Sequence, residues 1–241
     1  MLSIAIAEDN AEEREKLKKQ VVQLGYTLQI VAVNGYDLLE QLQVLPTHKL
    51  PHILLLDIKM PRINGLLVTM YCAFKYPTIK VIGVSSHTNE QLVTHVITEG
   101  ASAFITKYFL TPASIVYADN YGNTHLLQLA IDAVQKGELF IDKLLVNHPE
   151  KIQQNISTNT IIQKKYPQLK PKHREFIILN AAGLSLTEIA LLMHLSKHTV
   201  KDYNTILCQM FAVENHYQLV QACFEQGIVK LAVYFDETME N

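Results

Sequence analysis

The carboxylate of Asp57 ends the apolar run Ile53–Leu56, and a second apolar run, Ile4–Ala7, ends in the acidic pair Glu8-Asp9. Runs this apolar belong in buried strands, so the acids are carried to one edge of a sheet. Like charges a few ångströms apart raise one another's pKa and oppose ionisation unless a hard cation or a proton neutralises them. Magnesium suits such a place, because it takes oxygen ligands, keeps several waters and is held by one or two carboxylates plus a phosphate. Phosphate chemistry is therefore the first expectation. Ser85 follows the run Val81–Val84, and Lys107 follows Phe104-Ile105-Thr106, so a hydroxyl and an ammonium join the acids. Together they suit an aspartyl phosphate: a carboxylate nucleophile, Mg2+ across carboxylate and phosphoryl oxygens, and a lysine and a hydroxyl to bind the new phosphoryl group.

The elements that must position these groups alternate. Short apolar runs at Ile4–Ala7, Leu28–Val33, Ile53–Leu56, Val81–Val84 and Ala103–Ile105 are separated by segments of helical period, which predicts βαβ units and a five-stranded parallel sheet. The first helix has Glu12 and Glu13 near its start, Leu17, Val21 and Leu24 on its buried stripe and Gly25 at its end. Another is expected to begin at Thr88, with Gln91 completing a capping box, and to stop at Gly100. Ligands of open parallel sheets bind outside the carboxyl ends of the strands, where Glu8, Asp9 and Asp57 all fall.

Glu8-Asp9, Asp57 with Met60-Pro61, Ser85 and Lys107, in this order and on these strands, resemble the receiver domain of two-component response regulators. The resemblance implies an α/β flavodoxin-like domain over residues 1–136 in which Asp57 accepts phosphate from a sensor histidine kinase. It implies that Glu8, Asp9, Asp57 and the backbone carbonyl of Lys59 serve the metal, Glu8 mainly through water. Ser85 and Phe104 match the switch positions of the family, and Lys107 its phosphate-binding lysine. One departure is that Tyr108 stands where the family has proline after the lysine. The segment 108–123 is also longer than the family pattern and carries Tyr108, Phe109, Tyr117 and Tyr121. It reads as a longer packed connection in preference to a lid or a partner-binding loop.

From residue 137 to 168 the pattern weakens into a polar stretch read as a linker. Beyond it the pattern is all helical. Pro171 opens a first helix, Ser185 caps a second with Glu188 completing a capping box, and Ser196 caps a third after the turn at His194-Leu195. Two short helices joined by such a turn form a helix-turn-helix. Gly183-Leu184-Ser185-Leu186-Thr187-Glu188-Ile189-Ala190, followed by Leu195-Ser196-Lys197-His198-Thr199-Val200-Lys201, resembles the LuxR-type helix-turn-helix of response regulators, here over residues 169–230 with a tail at 231–241. Val200 and Leu207 face the core, which leaves Lys201, Asp202 and Thr205 on one outer face as expected base contacts. Lys197 and His198 at the helix start, and Lys172 and Arg174 on the first helix, are expected to meet phosphates of double-stranded DNA.

Charge tempers that expectation. Residues 169–230 hold six Lys or Arg and five acids, a net of +1, and Cys208, Gln209, Met210 and Phe211 stand where the family has further basic residues. Affinity for DNA comes largely from neutralised phosphates, so a single copy should bind weakly. The helix around Tyr217–Gln226 resembles the family's DNA-bound dimer element, which implies a homodimer on phosphorylation that would double the contacts. Two function classes follow: a DNA-binding transcription regulator, or a phosphorylation-controlled module whose helical domain binds a protein partner.

At 241 residues, 49% hydrophobic and 18% charged, the chain can bury a large core. No apolar stretch reaches the roughly 20 residues that span a bilayer, and the expected location is cytoplasmic, with no membrane partner. Cys72, Cys208 and Cys223 lack CxxC spacing and read as reduced core residues, and the ten histidines show no zinc spacing. A stand-alone enzyme is not expected, because a receiver turns over only its own acyl phosphate.

Overall fold

The computed structural model describes residues 1–86, 90–111, 125–145 and 168–230. The expected helix start at Thr88, Tyr117 and Tyr121 of the aromatic segment, most of the linker and the tail lie outside them.

Strands β1 (Ser3–Ala7), β2 (Thr27–Ala32), β3 (Ile53–Asp57), β4 (Lys80–Ser85), β5 (Ala103–Thr106) and β6 (Phe140–Ile141) form one sheet in the order β2-β1-β3-β4-β5-β6. Every pairing is parallel. Helices α1 (Ala11–Gln23), α2 (Gly35–Gln43), α3 (Gly65–Lys75), α4 (Glu90–Thr98) and α5 (Leu126–Gln135) cover the two faces. Ile4, Ile6, Ile53, Leu55, Ile82 and Val84 pack against α1 and α5. Ala5, Ala7, Leu54, Leu56 and Phe104 point the other way, onto α2, α3 and α4. β3 is buried on both faces along its whole length, which is why it carries no alternation in the sequence.

The strand order is that of flavodoxin-like sheets, with one addition. The sixth strand corrects the expected count of five and lies in the segment assigned to the linker. Ala103 pairs with Phe140 and Phe104 with Ile141. Two residues are too few for any periodicity; their place is dictated by the free edge of β5. The next residue, Asp142, is fully buried and accepts from Thr106 N at 3.0 Å and Thr106 Oγ1 at 2.5 Å, which ties the strand end down.

The caps follow local chemistry. Asn10 accepts from the backbone N–H groups of Glu12 and Glu13 at the start of α1, and Gly25 adopts φ 81° just past its end. The helical part consists of α6 (Pro171–Ala181), α7 (Leu186–Met193), α8 (Lys197–Phe211) and α9 (His216–Glu225). Ser185 and Glu188 form the expected capping box of α7, and Ser196 caps α8. His194, at φ 53° and ψ 45°, makes the left-handed turn between them.

The helical part docks on the sheet part, with α6 against α3 and α7 against α2. At the centre is Glu175, nearly fully buried, which accepts from Tyr71 Oη at 3.0 Å and Lys172 Nζ at 2.8 Å and pairs with Lys75. Lys230 Nζ lies 2.8 Å from Glu99 Oε1, and Arg62 pairs with Glu188 at the other end of the contact.

Candidate functional site: a carboxylate cluster at the switch point

The strand order reverses between β1 and β3, and the site lies there. Ala7 is in register with Leu56, so Glu8 and Asp57 leave the sheet side by side. Glu8, Asp9 and Asp57 each offer an oxygen within 4.8 Å of the others. Glu8 is fully buried, Asp57 is 5% exposed and Asp9 is open to solvent. The acidic loop is held by α1: Arg14 donates to the carbonyls of Glu8 at 2.8 Å and Asp9 at 3.1 Å, and Asn10 N donates to Glu8 Oε1 at 3.1 Å.

Lys107 follows β5 and reaches across the sheet edge. Its Nζ lies 2.7 Å from Glu8 Oε2, 2.6 Å from Glu13 Oε2 and 3.2 Å from Asp57 Oδ1. Burial pushes Asp57 up to about 7; Lys107 opposes that rise, and Glu8 and Asp9 add to it. Burial likewise raises Glu8, again against Lys107. Burial pulls Lys107 down, but Asp57, Glu13 and Glu8 outweigh it and hold the ammonium well above its ordinary range. One cation among several acids explains why the lysine gains a higher pKa while Asp57 is not lowered. The acids present hard oxygens with unbalanced negative charge, a donor set that fits a small divalent cation.

Lys59, Asn10, Glu13, Ser86 and Lys107 line the cleft of about 210 Å³ around these acids. Ser85 ends β4, one residue beyond the register pair Asp57–Val84, and is buried. Phe104 is fully buried with its ring against Gly83, where an added Cβ would lie 2.9 Å from the ring. The structure therefore brings Glu8, Asp9, Asp57, Lys59 and Lys107 to one cleft, with Ser85 beside it and Phe104 beneath. Glu13, Asn10, Arg14 and Ser86 were missed from the sequence. The signal for Glu13 was its first-turn position in a helix that starts from the acidic pair.

In the helical part, Val200 and Leu207 are buried while Lys197, His198, Lys201, Asp202 and Thr205 are exposed along α8. His198 Nε2 lies 3.8 Å from Asp202 Oδ2, and Thr205 Oγ1 donates to Lys201 O at 3.1 Å. Lys172 and Arg174 depart from expectation. Arg174 lies over the Phe74 ring at 5.8 Å, in a cavity shared with Glu99, and Lys172 is tied to Glu175. Arg174 is committed to the contact with the sheet part, whereas Lys172 stays exposed with its ammonium on Glu175 of its own helix. Of the aromatic segment, Phe109 is buried in the core beside His125, as packing predicts.

Residues 4–118 match the family model described as the response regulator receiver domain. The chain is 26% identical to the transcriptional regulatory protein DegU of Brevibacillus brevis, across 95% of this chain and 96% of the relative. It is also 26% identical to the oxygen regulatory protein NreC of Staphylococcus aureus, across 95% of this chain and all of the relative. Among solved structures, the RcsB response regulator of Salmonella typhimurium aligns with a TM-score of 0.49 and 20% identity, over 91% of this chain and 96% of that one.

Proposed function

Through residues 4–118 this chain belongs to the response regulator receiver domain family, and on that premise we propose that it is a phosphorylation-controlled transcription regulator of a two-component system. A sensor histidine kinase supplies the phosphoryl group, Asp57 accepts it, and the helix-turn-helix of α7 and α8 binds double-stranded DNA. The reading rests above all on Asp57 at the switch point, flanked by Glu8 and Asp9 and reached by Lys107. Glu8, Asp9 and Asp57, with the carbonyl of Lys59, hold Mg2+, which supplies positive charge to the transferring phosphoryl group. Lys107 and the hydroxyl of Ser85 take the phosphoryl oxygens, above the ring of Phe104, which is already buried against Gly83. The relatives named as transcriptional regulators match over 96% and 85% of their length, which supports the same output here. Residues 1–145 form the receiver, the connecting stretch follows, and 168–230 form the DNA-binding part.

DNA contact falls to Lys197, His198, Lys201, Asp202 and Thr205 on the open side of α8. Arg174 serves docking in the arrangement described and reaches phosphate only after the two parts separate, while exposed Lys172 is held by Glu175. Phosphorylation drives homodimerisation through α9, which doubles the phosphate contacts of a weakly basic module.

The test combines mass and DNA binding. With acetyl phosphate and Mg2+, the wild type gains one phosphate and Asp57→Asn gains none. The phosphorylated protein then binds DNA with an affinity that falls steeply with salt, and Lys201→Ala weakens it. A phosphorylated protein that ignores DNA at low salt transfers the output to a protein partner, to which the helical part exposes Leu191, Ile206 and Tyr217.

A further inference from the structure

We propose that Glu13 is the resting-state partner of Lys107 and competes with the phosphoryl group on Asp57 for that ammonium, so that it sets how much of the protein is phosphorylated at a given supply of donor. The inference rests on Asp57 as the phosphoacceptor.

Glu13 lies in the first turn of α1, and its placement is fixed from two sides. Asn10 accepts from the Glu13 backbone N–H at 3.1 Å, and Arg14, the next residue, binds the carbonyls of Glu8 and Asp9. The side chain thereby points into the cleft, where Oε2 takes the shortest of the three carboxylate contacts to Lys107 Nζ, at 2.6 Å against 2.7 Å and 3.2 Å. Its position differs from that of the other acids. Glu8, Asp9 and Asp57 share a possible cation among themselves, whereas Glu13 is outside that set and stays 31% exposed. It can therefore release the lysine and turn to solvent.

The sign follows from charge. Before phosphorylation, Glu13 stabilises the buried ammonium. Afterwards Asp57 carries about two negative charges on three oxygens that need the same ammonium. Glu13 must then give up its contact or remain as a like charge beside the phosphoryl group. Either course disfavours the phosphorylated state relative to a neutral side chain.

The experiment uses the full chain with limiting acetyl phosphate and Mg2+. A carboxylate oxygen of Asp57 attacks phosphorus, and the bond from phosphorus to the acetyl oxygen breaks, its electron pair leaving on acetate. Wild type, Glu13→Gln, Glu13→Ala and Asp57→Asn are compared by the plateau ratio of phosphorylated to free protein and by Mg2+ affinity of the free protein. Both Glu13 variants should raise the plateau ratio about five- to tenfold, at the low end of ordinary coupling between sites, while Mg2+ affinity stays within about twofold. An unchanged or lower plateau with intact helix content overturns the inference. A large loss of Mg2+ affinity with a lower plateau also overturns it, because Glu13 would then be a metal ligand. If the wild type takes no phosphate, or Asp57→Asn takes as much, the phosphoacceptor reading itself has failed and the competition fails with it.

Discussion

Asp57 is held where its charge is least welcome, 5% exposed beside a fully buried Glu8, with one lysine shared among its neighbours. Its folded pKa of about 7 lies above the ordinary 3.8. The folded state therefore binds the proton more tightly than the unfolded chain, and stability is lost as pH rises from about 4 through 7. Asp57→Asn removes that penalty. In Mg2+-free buffer it should melt a few degrees above wild type at pH 8, where about 1 kcal/mol corresponds to roughly 2–4 °C for a chain of this size. The gap should close at pH 4 and shrink at pH 8 as Mg2+ is added, because the ion binds only the carboxylate form; thermal unfolding at both pH values measures it. Glu8, Asp9, Asp57 and Lys107 were legible in the sequence because each stands within two residues of the end of an apolar run that reads as a buried strand. Glu13 was not, because no apolar run next to it fixes its direction, and Ser86 was passed over because Ser85, one residue earlier, already supplied the hydroxyl at that strand end. Glu13 reads equally as an acid complementing a helix dipole, and only the cap at Asn10 aims it into the cleft.

At the scale of elements, the site depends on how closely α3 approaches the end of β3. Gly65 N donates to Ile58 O at 2.9 Å, and an added Cβ at Gly65 would lie 2.4 Å from Asp57 O and 2.7 Å from Ile58 Cα. Those neighbours are backbone and cannot turn aside. Gly65→Ala should therefore cost about 3 kcal/mol or more, the upper part of the range for overpacking, read as a lower urea midpoint at unchanged slope. It should also slow phosphorylation of Asp57, since relief of the clash moves the carbonyl of the acceptor residue itself. Capping elements were visible beforehand: Ser185 with Glu188, and Ser196, announced α7 and α8 through hydrogen bonds made within four residues. β6 was not visible. Its two residues gain their conformation from β5 and from Asp142 bonding back to Thr106, partners more than thirty residues away in the chain. For the same reason Lys172 and Arg174 were read as free basic residues, since nothing in α6 alone announces α3.

At the scale of the molecule, the two parts meet through groups that lead back to the carboxylate cleft. Arg62, in the loop that leaves Asp57, pairs with Glu188 and lies over the Tyr36 ring at 4.1 Å, while Glu99 at the end of α4 holds Lys230. Exposure ranks these contacts. The Arg62–Glu188 pair is 45% and 29% exposed, so Arg62→Ala should change docking by less than about 1 kcal/mol. Glu175 is 2% exposed, and its loss strands the Tyr71 hydroxyl and two ammonium groups at the interface. Burial alone would raise its carboxyl, but Lys172 and Lys75 outweigh burial and hold it below the ordinary 4.5. A lowered carboxyl contributes stability that is present above about 4.5 and lost as pH falls through the folded value. Because Lys75 and Lys172 retain some water, Glu175→Ala should weaken docking by about 1–3 kcal/mol, less than for a sealed pair. Small-angle scattering at neutral pH should show a larger radius of gyration for Glu175→Ala with helix content unchanged. Glu175→Gln, which keeps an oxygen for Tyr71 and loses the charge, should fall between the two. An unchanged radius in Glu175→Ala would assign docking to the apolar surface where Ile177 and Ile178 meet Met70, Ala73 and Phe74 of α3, and Arg174 would then not add to DNA affinity. A larger radius accompanied by tighter DNA binding ties the opening of this contact to Arg174, which it covers, and to the release of Lys172 from Glu175.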